Sequence, residues 1–474
     1  MRISGINPMA YHKQNPNFGH KIVFDFGASS PKVTAKCLVT TDDGKPLYFK
    51  DGFYLHNTIR GFKNGNAFID RVAHLVKNTY NETLQRSQKG EFALPGDEKK
   101  LSGVSIFIPG TTMTKGKDDV IAFMPNIKDT EGNSLVNIDF SEYENELKTG
   151  KLPIEVSDDF ELFVTKDLGG TGLGLAKVMG EKGMLKEGDY IMGIMTGGGF
   201  GSVDVKVKDG RVEIETSESS SYLTASPKDG KLEKLGRLGV SVKSHINHFC
   251  NELDVPELAK DSPLRKAMIA AGDARIVEQN AMHVKDDELV KIFESEEGKK
   301  LFRVKEEKPN ETVFEIKDDD EAFAKRLLAA RISSIKDYAA AISLISVNKI
   351  NDCLNKIVLV GPFAHGVNSY VKEHPEQFSG DPEYQGDEIK DLPDLIKHEV
   401  NNRISPEGVD LPSSRWLKDL YHFDVICNKD INFSDNTYAG ELLLDPELKF
   451  VENRGSWFSF PLSLVQKDNN EEQK

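Results

Sequence analysis

The sequence lacks paired cysteines, long apolar runs and an excess of basic residues. Its four cysteines form no CxxC pair, which argues against a disulfide framework and a structural zinc site and fits a reducing compartment. No run of about 18 apolar residues is present, so we expect no membrane span and no membrane partner. The first residues lack the apolar core of a secretory signal. We therefore expect a cytoplasmic protein.

The charge of the chain is acidic. Asp and Glu number 76 and Lys and Arg 61, a formal net charge of −15. Phosphate contacts need a basic face, so this charge disfavours a nucleic-acid partner. A hydrophobic fraction of 38% and a charged fraction of 29% are typical of globular proteins. A chain of 474 residues is long for one hydrophobic core, which favours two or three domains.

Short apolar strands ending in small residues alternate with helical patterns along the chain. This order predicts an α/β protein with two lobes, in which ligands gather at the carboxyl ends of strands and between the lobes. We predict a flexible arm over 1–20, an N-terminal lobe over 21–160 and a C-terminal lobe over 161–460. We also predict a helical insertion at about 225–330 and a disordered tail over 461–474.

The stretch "VFDFGASSPK", residues 23–32, places Asp25 at the end of an apolar strand, before small residues. Small residues let backbone N–H groups approach an anion closely, and carboxylate oxygens are ligands that Mg²⁺ prefers. The alternative is an ordinary tight turn.

A glycine cluster, "TGGGFGS" at residues 196–202, lies between two predicted strands. Consecutive glycines permit close backbone contact with phosphate oxygens, whereas the alternative is a flexible hairpin turn. No Gly-Lys-Ser/Thr follows and no helix is predicted to begin there. The cluster is therefore neither a Walker A loop nor a dinucleotide fingerprint.

The stretch "ELFVTKDLGGTGLGLAK", residues 161–177, joins a strand, Asp167 and a second glycine cluster. A carboxylate at a strand end, before a helix, suits a general base that faces a lobe interface. The same position suits an N-cap aspartate, and the local residues leave both interpretations open. The glycines predict that the helix begins after them.

Three further motifs have a simple structural alternative. The segment "GPFAHG" at 361–366 allows a nucleotide ring to lie against the backbone, or is a plain strand-to-helix turn. The segment "HINHFC" at 245–250 holds possible metal ligands, but a core or surface helix explains it better. Glu218 lies beside a serine run that is typical of a solvated loop.

The order of these motifs resembles the actin-like ATPase and sugar-kinase fold, and more narrowly the ROK family of bacterial sugar kinases and repressors. The stretch "VFDFGASSPKVTAKCL" is similar to that family's first phosphate motif, and "MGIMTGGGFGSVDVKVKDGRV" to its second. "FVTKDLGGTGLGLAKVMGE" resembles its catalytic-aspartate motif, and "NKIVLVGPFAHGVNSYVKE" its adenosine motif. "VSIFIPGTTMTKGKDDVIAFMPNI" matches the family pattern best, with these residues in place: Pro109, Gly110, Pro125 and Asn126.

The resemblance implies a two-lobed α/β fold of the actin-like (ribonuclease H-like) type with the active-site cleft between the lobes. It implies ATP-dependent phosphoryl transfer to a hexose hydroxyl, with Asp167 as general base and Asp25 acting on Mg²⁺. The cofactor-binding residues would be Asp25, Gly27, Ser29, Lys32, Thr196, Gly197, Gly198, Gly199 and Gly361. The sugar would contact Gly110, Asn126, Lys166 and Glu218. A homodimer is compatible with the family.

The sequence departs from the family pattern at the predicted acceptor site. Lys166 replaces the Asn before the catalytic Asp, Ser221 replaces a His, and the family's zinc cluster is absent. An ammonium beside a carboxylate weakens it as a base, unless Lys166 points away or binds an anionic acceptor; we expect the first. The alternatives to a kinase are a non-catalytic sugar- or nucleotide-binding relative and an actin-like-fold ATPase or kinase with another acceptor.

Overall fold

The structure, a computed structural model, describes residues 20–26, 33–40, 46–48, 63–90, 99–114, 120–197, 199–217, 223–225, 232–234, 241–309, 311–350, 352–379, 388–404, 423–427, 429–431, 433, 449–450 and 457–466. Within these ranges, the elements up to residue 181 are β1 (His20–Phe26), β2 (Val33–Thr40), β3 (Pro46–Tyr48), α1 (Gly65–Gln88), β4 (Leu101–Ile108), β5 (Thr111–Thr114), β6 (Val120–Lys128), β7 (Ser134–Asp139), α2 (Ser141–Lys148), β8 (Val156–Lys166) and α3 (Asp167–Glu181).

The elements that follow are β9 (Tyr190–Thr196), β10 (Phe200–Lys208), β11 (Arg211–Ser217), β12 (Leu223–Ala225), β13 (Leu232–Lys234), α4 (Val242–Leu253), α5 (Pro263–Ala271), α6 (Arg275–Gln279), β14 (Ala281–Val284), α7 (Asp287–Phe293), α8 (Glu296–Leu301), β15 (Phe302–Lys308), β16 (Glu311–Ile316), α9 (Glu321–Ile350), β17 (Lys356–Val360), α10 (Pro362–Glu373), α11 (Glu376–Ser379), α12 (Leu392–Ile404), β18 (Asp424–Cys427), β19 (Lys449–Phe450) and β20 (Trp457–Pro461).

The chain divides into two compact units, of which the first contains residues 1–174 and 435–461. Its main sheet has the order β3-β2-β1-β4-β8, in which β1, β4 and β8 are parallel and β2 and β3 are antiparallel to their neighbours. The interior strand β4 is buried at every position, as expected for a strand covered on both faces. Strands β5, β6 and β7 form a separate antiparallel sheet.

Helix α1 packs its apolar face on the core of the first unit. Asn64 caps the helix, because its side chain accepts a hydrogen bond from the Ala67 N–H at 3.0 Å. The Phe68 ring lies 5.4 Å from the Phe26 ring of β1 and 6.3 Å from the Phe140 ring, measured between centroids. Apolar residues at helical spacing, Phe68, Val72, Leu75 and Val76, predict a helix over 66–86, and the structure confirms it.

The second unit contains residues 175–434 and 462–474. The strands of its main sheet that belong to this unit run in the order β18-β17-β9-β10-β11, with β18, β17 and β9 parallel and β10 and β11 antiparallel to their neighbours. Buried residues of the sheet and of α4, α9, α10 and α12 form one core, among them Ile194, Phe249, Tyr338 and Phe363. Two smaller sheets, β12-β13 and β14-β16-β15, complete the unit's described strands.

Two elements differ from the sequence predictions. The region predicted as a helical insertion also contains the sheet β14-β16-β15. Strand β15 is exposed at every position after Phe302, so it lacks the apolar alternation that signals a strand. Helix α3 begins at Asp167, and it therefore includes the glycines that were expected to precede it.

The C-terminal segment also differs from the predicted disordered tail. Residues Leu462–Leu464 form a 3-10 helix, and Val465 is buried. This order has a packing cause, since the Val465 carbonyl lies close to Gly180 of α3. Residues 467–474, like 1–19 of the predicted arm, lie outside the described ranges.

The division between the two units falls inside α3, after residue 174. The predicted lobe bounds, 21–160 and 161–460, stay a prediction. In the part of the chain that the structure describes, no helix is both long and apolar enough to cross a membrane.

Candidate functional site

The carboxyl ends of the parallel strands in the first unit carry several predicted site residues. Asp25 of β1 lies in one row with Phe107 of β4 and Thr165 of β8. Carboxyl ends of neighbouring parallel strands meet at the same edge of a sheet, and ligands bind at such edges. Four predicted residues lie at this edge or follow it directly: Asp25, Gly110, Lys166 and Asp167.

Asp167, the predicted general base, is the first residue of α3 and directly follows β8. Its side chain is half-buried, and its Oδ1 accepts a hydrogen bond from the Leu168 N–H at 2.8 Å. An N-cap side chain usually accepts from the N–H two or three residues further on, so this bond is not the usual cap. A carboxylate oriented in this way at a sheet edge has the chemistry of a general base.

Lys166 lies on the core side of the first unit's sheet. It pairs in register with Ile108 of β4, a residue of the unit's core, and it is 4% exposed. Side chains alternate between the two faces along a strand, so Thr165 lies on the opposite face. Because Thr165 shares a row with Asp25, the register places Lys166 and Asp25 on different faces of the sheet.

Gly110 follows β4 where the backbone is crowded. Its N–H donates to the Ile108 carbonyl at 2.9 Å. A Cβ at this position would lie 2.0 Å from the carbonyl oxygen of Phe123 in β6, so only glycine fits. This close approach brings β6, the strand that contains Asn126, to the end of β4. The Asn126 side chain lies outside the described parts of the structure.

The glycines of α3 allow close packing against the helix. A Cβ on Gly169 would lie 3.0 Å from the Phe458 ring and 3.3 Å from the Thr165 hydroxyl oxygen. A Cβ on Gly180 would lie 2.4 Å from the Val465 carbonyl oxygen. At these two positions the glycine lets a neighbouring segment approach the helix backbone. Close packing therefore explains Gly169 and Gly180 without a phosphate.

The carboxyl edge of the second unit's sheet carries the other predicted segments. Val360 of β17 pairs with Met195 of β9, so the residues that follow them, Gly361 and Thr196, lie level with each other. Gly361 has φ = 108°, a left-handed value that favours glycine, and a Cβ there would lie 3.4 Å from the Thr196 carbonyl oxygen. The two segments predicted to contact a nucleotide are therefore neighbours.

Helix α10 begins directly after Gly361 with Pro362 in its first turn, and among the described residues no side chain caps it. Proline has no N–H, so the first backbone donors at this end belong to Phe363 and Ala364. An uncapped helix N-terminus favours negative charge, because the helix dipole and these N–H groups point at it. This end therefore suits a phosphate group.

Helix α4 brings a third element to the same edge. The Val242 N–H donates to the Gly197 carbonyl at 2.9 Å, and the Gly197 N–H donates to the Gly199 carbonyl at 3.0 Å. Ser241 and Ser244 close the helix start with a reciprocal capping box. The Ser-x-x-Ser spacing signals a helix start, but no local feature of the sequence indicates that it lies beside Gly197.

The Thr196 side chain faces the core of the second unit. It is 2% exposed, and its hydroxyl oxygen lies 2.9 Å from the hydroxyl of Tyr338 in α9. Burial raises the pKa of Tyr338, so this phenol stays protonated and can donate to Thr196. A contact of Thr196 with a ligand would therefore use its backbone.

Lys429 is a cation at this edge that sequence reasoning missed. Cys427 ends β18 in register with Leu359, and Lys429 belongs to the turn that follows this strand end. Its Nζ lies 2.5 Å from Nε2 of His365 in α10. Burial and the Lys429 charge lower the pKa of His365, so a neutral ring accepts from the ammonium. The surrounding sequence "CNKD" carries no motif that would have signalled this position.

Several predicted residues fall outside the described ranges: Gly27, Ser29, Lys32, Gly198 and Glu218. Within those ranges, no group of three or more His, Cys, Asp or Glu side chains is arranged to hold a metal ion. The metal-ligand interpretation of residues 245–250 therefore has no structural support. His245 is instead fully buried, with its ring 4.9 Å from the Phe363 ring.

No family model and no curated protein matches this sequence. Among solved structures, a glucokinase from Balamuthia mandrillaris in complex with glucose matches with 12% identity and a TM-score of 0.50, over 90% of this chain and 93% of that one. A hexokinase from Schistosoma mansoni complexed with glucose matches with 12% identity and a TM-score of 0.46, over 91% and 88%. A ROK family glucokinase from Streptomyces griseus, in complex with glucose and AMPPNP, matches with 11% identity and a TM-score of 0.37, over 81% and 98%.

At this level of identity the likeness establishes the fold alone, and it rests on the first of these structures. The α/β architecture that the motifs predict is confirmed. The resemblance to sugar kinases is likewise confirmed at the level of the fold. The chain has the fold of the Balamuthia mandrillaris glucokinase.

Proposed function

We propose that the protein is an ATP-dependent sugar kinase that transfers the γ-phosphoryl group of ATP to a hydroxyl of a hexose, either glucose-like or an amino sugar. The observation that carries this proposal is the position of Asp25 and Asp167 at the carboxyl ends of the parallel strands β1 and β8 of one sheet. They occupy it in a chain with the fold of a glucokinase, whose structure contains glucose.

Asp167 would accept the proton of the sugar hydroxyl while the hydroxyl oxygen forms a bond to the γ-phosphorus. The bond from that phosphorus to the bridging oxygen breaks, and ADP leaves. Such a transfer depends mainly on positioning and charge stabilisation, which rigid strand ends supply. The sugar would lie near Gly110, Asn126, Lys166 and Glu218.

The phosphates would lie against glycine turns and the open end of α10. This proposal uses the backbone of residues 196, 197 and 199 and of Gly361; a phosphate contact of residues 27–32 stays a prediction. Asp25 is half-buried at the end of β1, and its oxygens are the donors that Mg²⁺ takes alongside phosphates, so the residue fits the ion. Mg²⁺, when bound, neutralises phosphate charge. A cytoplasmic location, where ATP is abundant, belongs to the same proposal.

The proposal is tested by measuring ADP release with Mg²⁺, ATP and a panel of hexoses and amino sugars. We expect turnover with at least one of them, and an Asp167→Asn variant that loses kcat by about 10²- to 10⁴-fold while still binding ATP. Asp158→Asn, an exposed residue of the same strand β8, serves as the matched control and should retain activity. An Asp167→Asn variant with near-normal turnover would show that the base is assigned wrongly.

Lys166 favours a second candidate, a sugar- or nucleotide-binding protein without catalysis. Lys166 stands where the family has an Asn, so the residue before the proposed base departs from the catalytic pattern. Calorimetry distinguishes the two candidates, because binding of a hexose or of ATP without any ADP release supports the binding protein. Adding acyl acids to the ADP-release panel tests for a kinase with another acceptor.

A further inference from the structure

The carboxyl group of Glu278 lies against the backbone of α10. Glu278 belongs to α6 and is 8% exposed. A Cβ on Gly366 would lie 2.1 Å from Oε2 of Glu278 and 2.6 Å from Oε1, so both carboxyl oxygens lie over the Gly366 backbone. Gly366 is in the same helix that begins at Gly361. The glutamate therefore contacts the helix that carries a proposed nucleotide-binding segment.

The cations near Glu278 are engaged with other partners. Arg275 pairs with Asp273 at 2.7 Å, and Arg331 of α9 donates to the Val277 carbonyl. Other titratable groups lie on the elements packed against α6: Tyr338 on α9, His245 on α4, His365 and Tyr370 on α10, and His283 on β14. Burial, followed by the negative charge of Asp273, raises the pKa of Glu278 to about 8, although Arg275 opposes this.

We infer that Glu278 is a positioning residue for the nucleotide side of the site: its protonated carboxyl group seats α10, and its ionised form displaces the helix. This inference rests on the proposed function and adds regulation of the nucleotide site by pH. The physical reason is the contact with Gly366. A neutral carboxyl fits against a buried backbone, whereas a buried carboxylate beside Asp273 is unfavourable unless α10 moves and admits water.

Nucleotide affinity then falls as the pH rises through the pKa of Glu278. If only the protonated form binds well, affinity decreases by up to about tenfold for each pH unit above that pKa, which is the limit for one proton. A variant that cannot ionise at this position keeps its affinity across the same range.

The test measures the Kd of Mg·ADP by calorimetry between pH 6.5 and 9.5. This window of about three pH units contains the titration of Glu278. We expect the wild type to lose affinity above pH 8 and Glu278→Gln to stay constant. Glu278→Met, which cannot titrate either, should behave like the Gln variant. The matched control is Glu288→Gln, whose side chain on α7 is 80% exposed, and it should follow the wild type.

Hydrogen exchange of the α10 amides separates a failure of the inference from a failure of the proposed function. Corrected for intrinsic rates, protection of residues 362–373 should fall in the wild type between pH 7 and 9 and stay constant in Glu278→Gln. If neither the wild type nor any of the variants binds Mg·ADP at any pH, the proposed function is wrong. The exchange result alone then decides the inference. Equal exchange or equal Kd profiles in wild type and Glu278→Gln overturn it.

Discussion

Two glycines near the proposed site differ in what a side chain would meet. A Cβ on Gly110 would overlap the Phe123 carbonyl, whereas a Cβ on Gly199 would have no atom within 4 Å. We expect Gly110→Ala to lower the free energy of unfolding by about 1–3 kcal/mol or more, the usual cost of overpacking. Gly199→Ala should leave stability within about 0.5 kcal/mol of the wild type. Urea unfolding of both variants measures the difference.

The same pair of variants separates folding from binding. If the 196–199 turn contacts phosphates, Gly199→Ala should raise the KM for ATP while the protein remains fully folded. A stable Gly110→Ala variant would contradict the crowded geometry at the end of β4. An unchanged KM in Gly199→Ala would remove Gly199 from the proposed phosphate contacts.

The hydroxyl groups of Thr196 and Tyr338 form a buried hydrogen bond that a double-mutant cycle can isolate. Removing either partner leaves the other hydroxyl without its bond in the core. We therefore expect Thr196→Val and Tyr338→Phe each to lower the free energy of unfolding by about 1–2 kcal/mol. The double variant should lose clearly less than the sum of the two. Strict additivity in thermal or urea unfolding would show that the contact is not formed.

At the scale of elements, strands with apolar alternation and glycine turns could be predicted from local sequence. The pair of strands β9 and β10 follows from two apolar segments joined by a glycine cluster, and the structure confirms it. The strand, Gly-Pro turn and helix at β17 and α10 are confirmed in the same way. In both segments the local propensity of the residues agrees with their burial in the fold.

Other elements could not be predicted because tertiary contacts override local signals. β15 is exposed and charged, so it has no apolar period to detect. The glycine-rich start of α3 opposes helix formation locally, yet Gly169 is required where Phe458 packs on the helix. A single sequence contains no signal for a neighbour almost 300 residues away.

Gly180 in α3 provides a test of this packing explanation. In an isolated helix, Gly→Ala stabilises by about 0.5–1 kcal/mol. Here a Cβ would lie 2.4 Å from the Val465 carbonyl, a backbone atom that cannot swing aside. We expect Gly180→Ala to be destabilising by about 1–3 kcal/mol in urea unfolding, the opposite sign to the helix propensity. A stabilised Gly180→Ala variant would show that residues 462–466 do not pack here.

At the scale of the whole molecule, the candidate site could be predicted only in part. Sequence motifs identified the segments at Asp25, Gly110, Asp167, Thr196 and Gly361, and the structure places them at the carboxyl edges of two sheets. The helix start at α4, the Tyr338 hydroxyl and Lys429 reach the second edge from distant parts of the chain. They were missed because their contribution depends on strand order, which no local pattern encodes.

Two buried titratable groups in the second unit make the free energy of unfolding depend on pH, one at alkaline and the other at acidic pH. The pKa of Glu278 is raised from 4.5 to about 8, so the folded state holds a proton that the unfolded state loses. Its contribution is complete below pH 4.5 and is lost as the pH rises through 8. Burial, followed by the charge of His248, lowers the pKa of His245 from 6.5 to about 3. The His245 contribution is complete above pH 6.5 and is lost as the pH falls through 3.

These two groups should give the whole chain a stability maximum where their ranges overlap, between pH 4.5 and 6.5, and each single substitution should flatten the loss of stability on one side of it. At about 1.4 kcal/mol per pKa unit, each side amounts to a few kcal/mol. We expect Glu278→Gln to lose less stability than the wild type between pH 6 and 9, and His245→Leu to lose less between pH 6 and 4. Urea unfolding across this range, with the double variant included, measures both effects as differences from wild type. A Glu278→Gln profile parallel to the wild type above pH 6 would show that Glu278 does not carry the alkaline loss, because other titrating groups are common to both proteins.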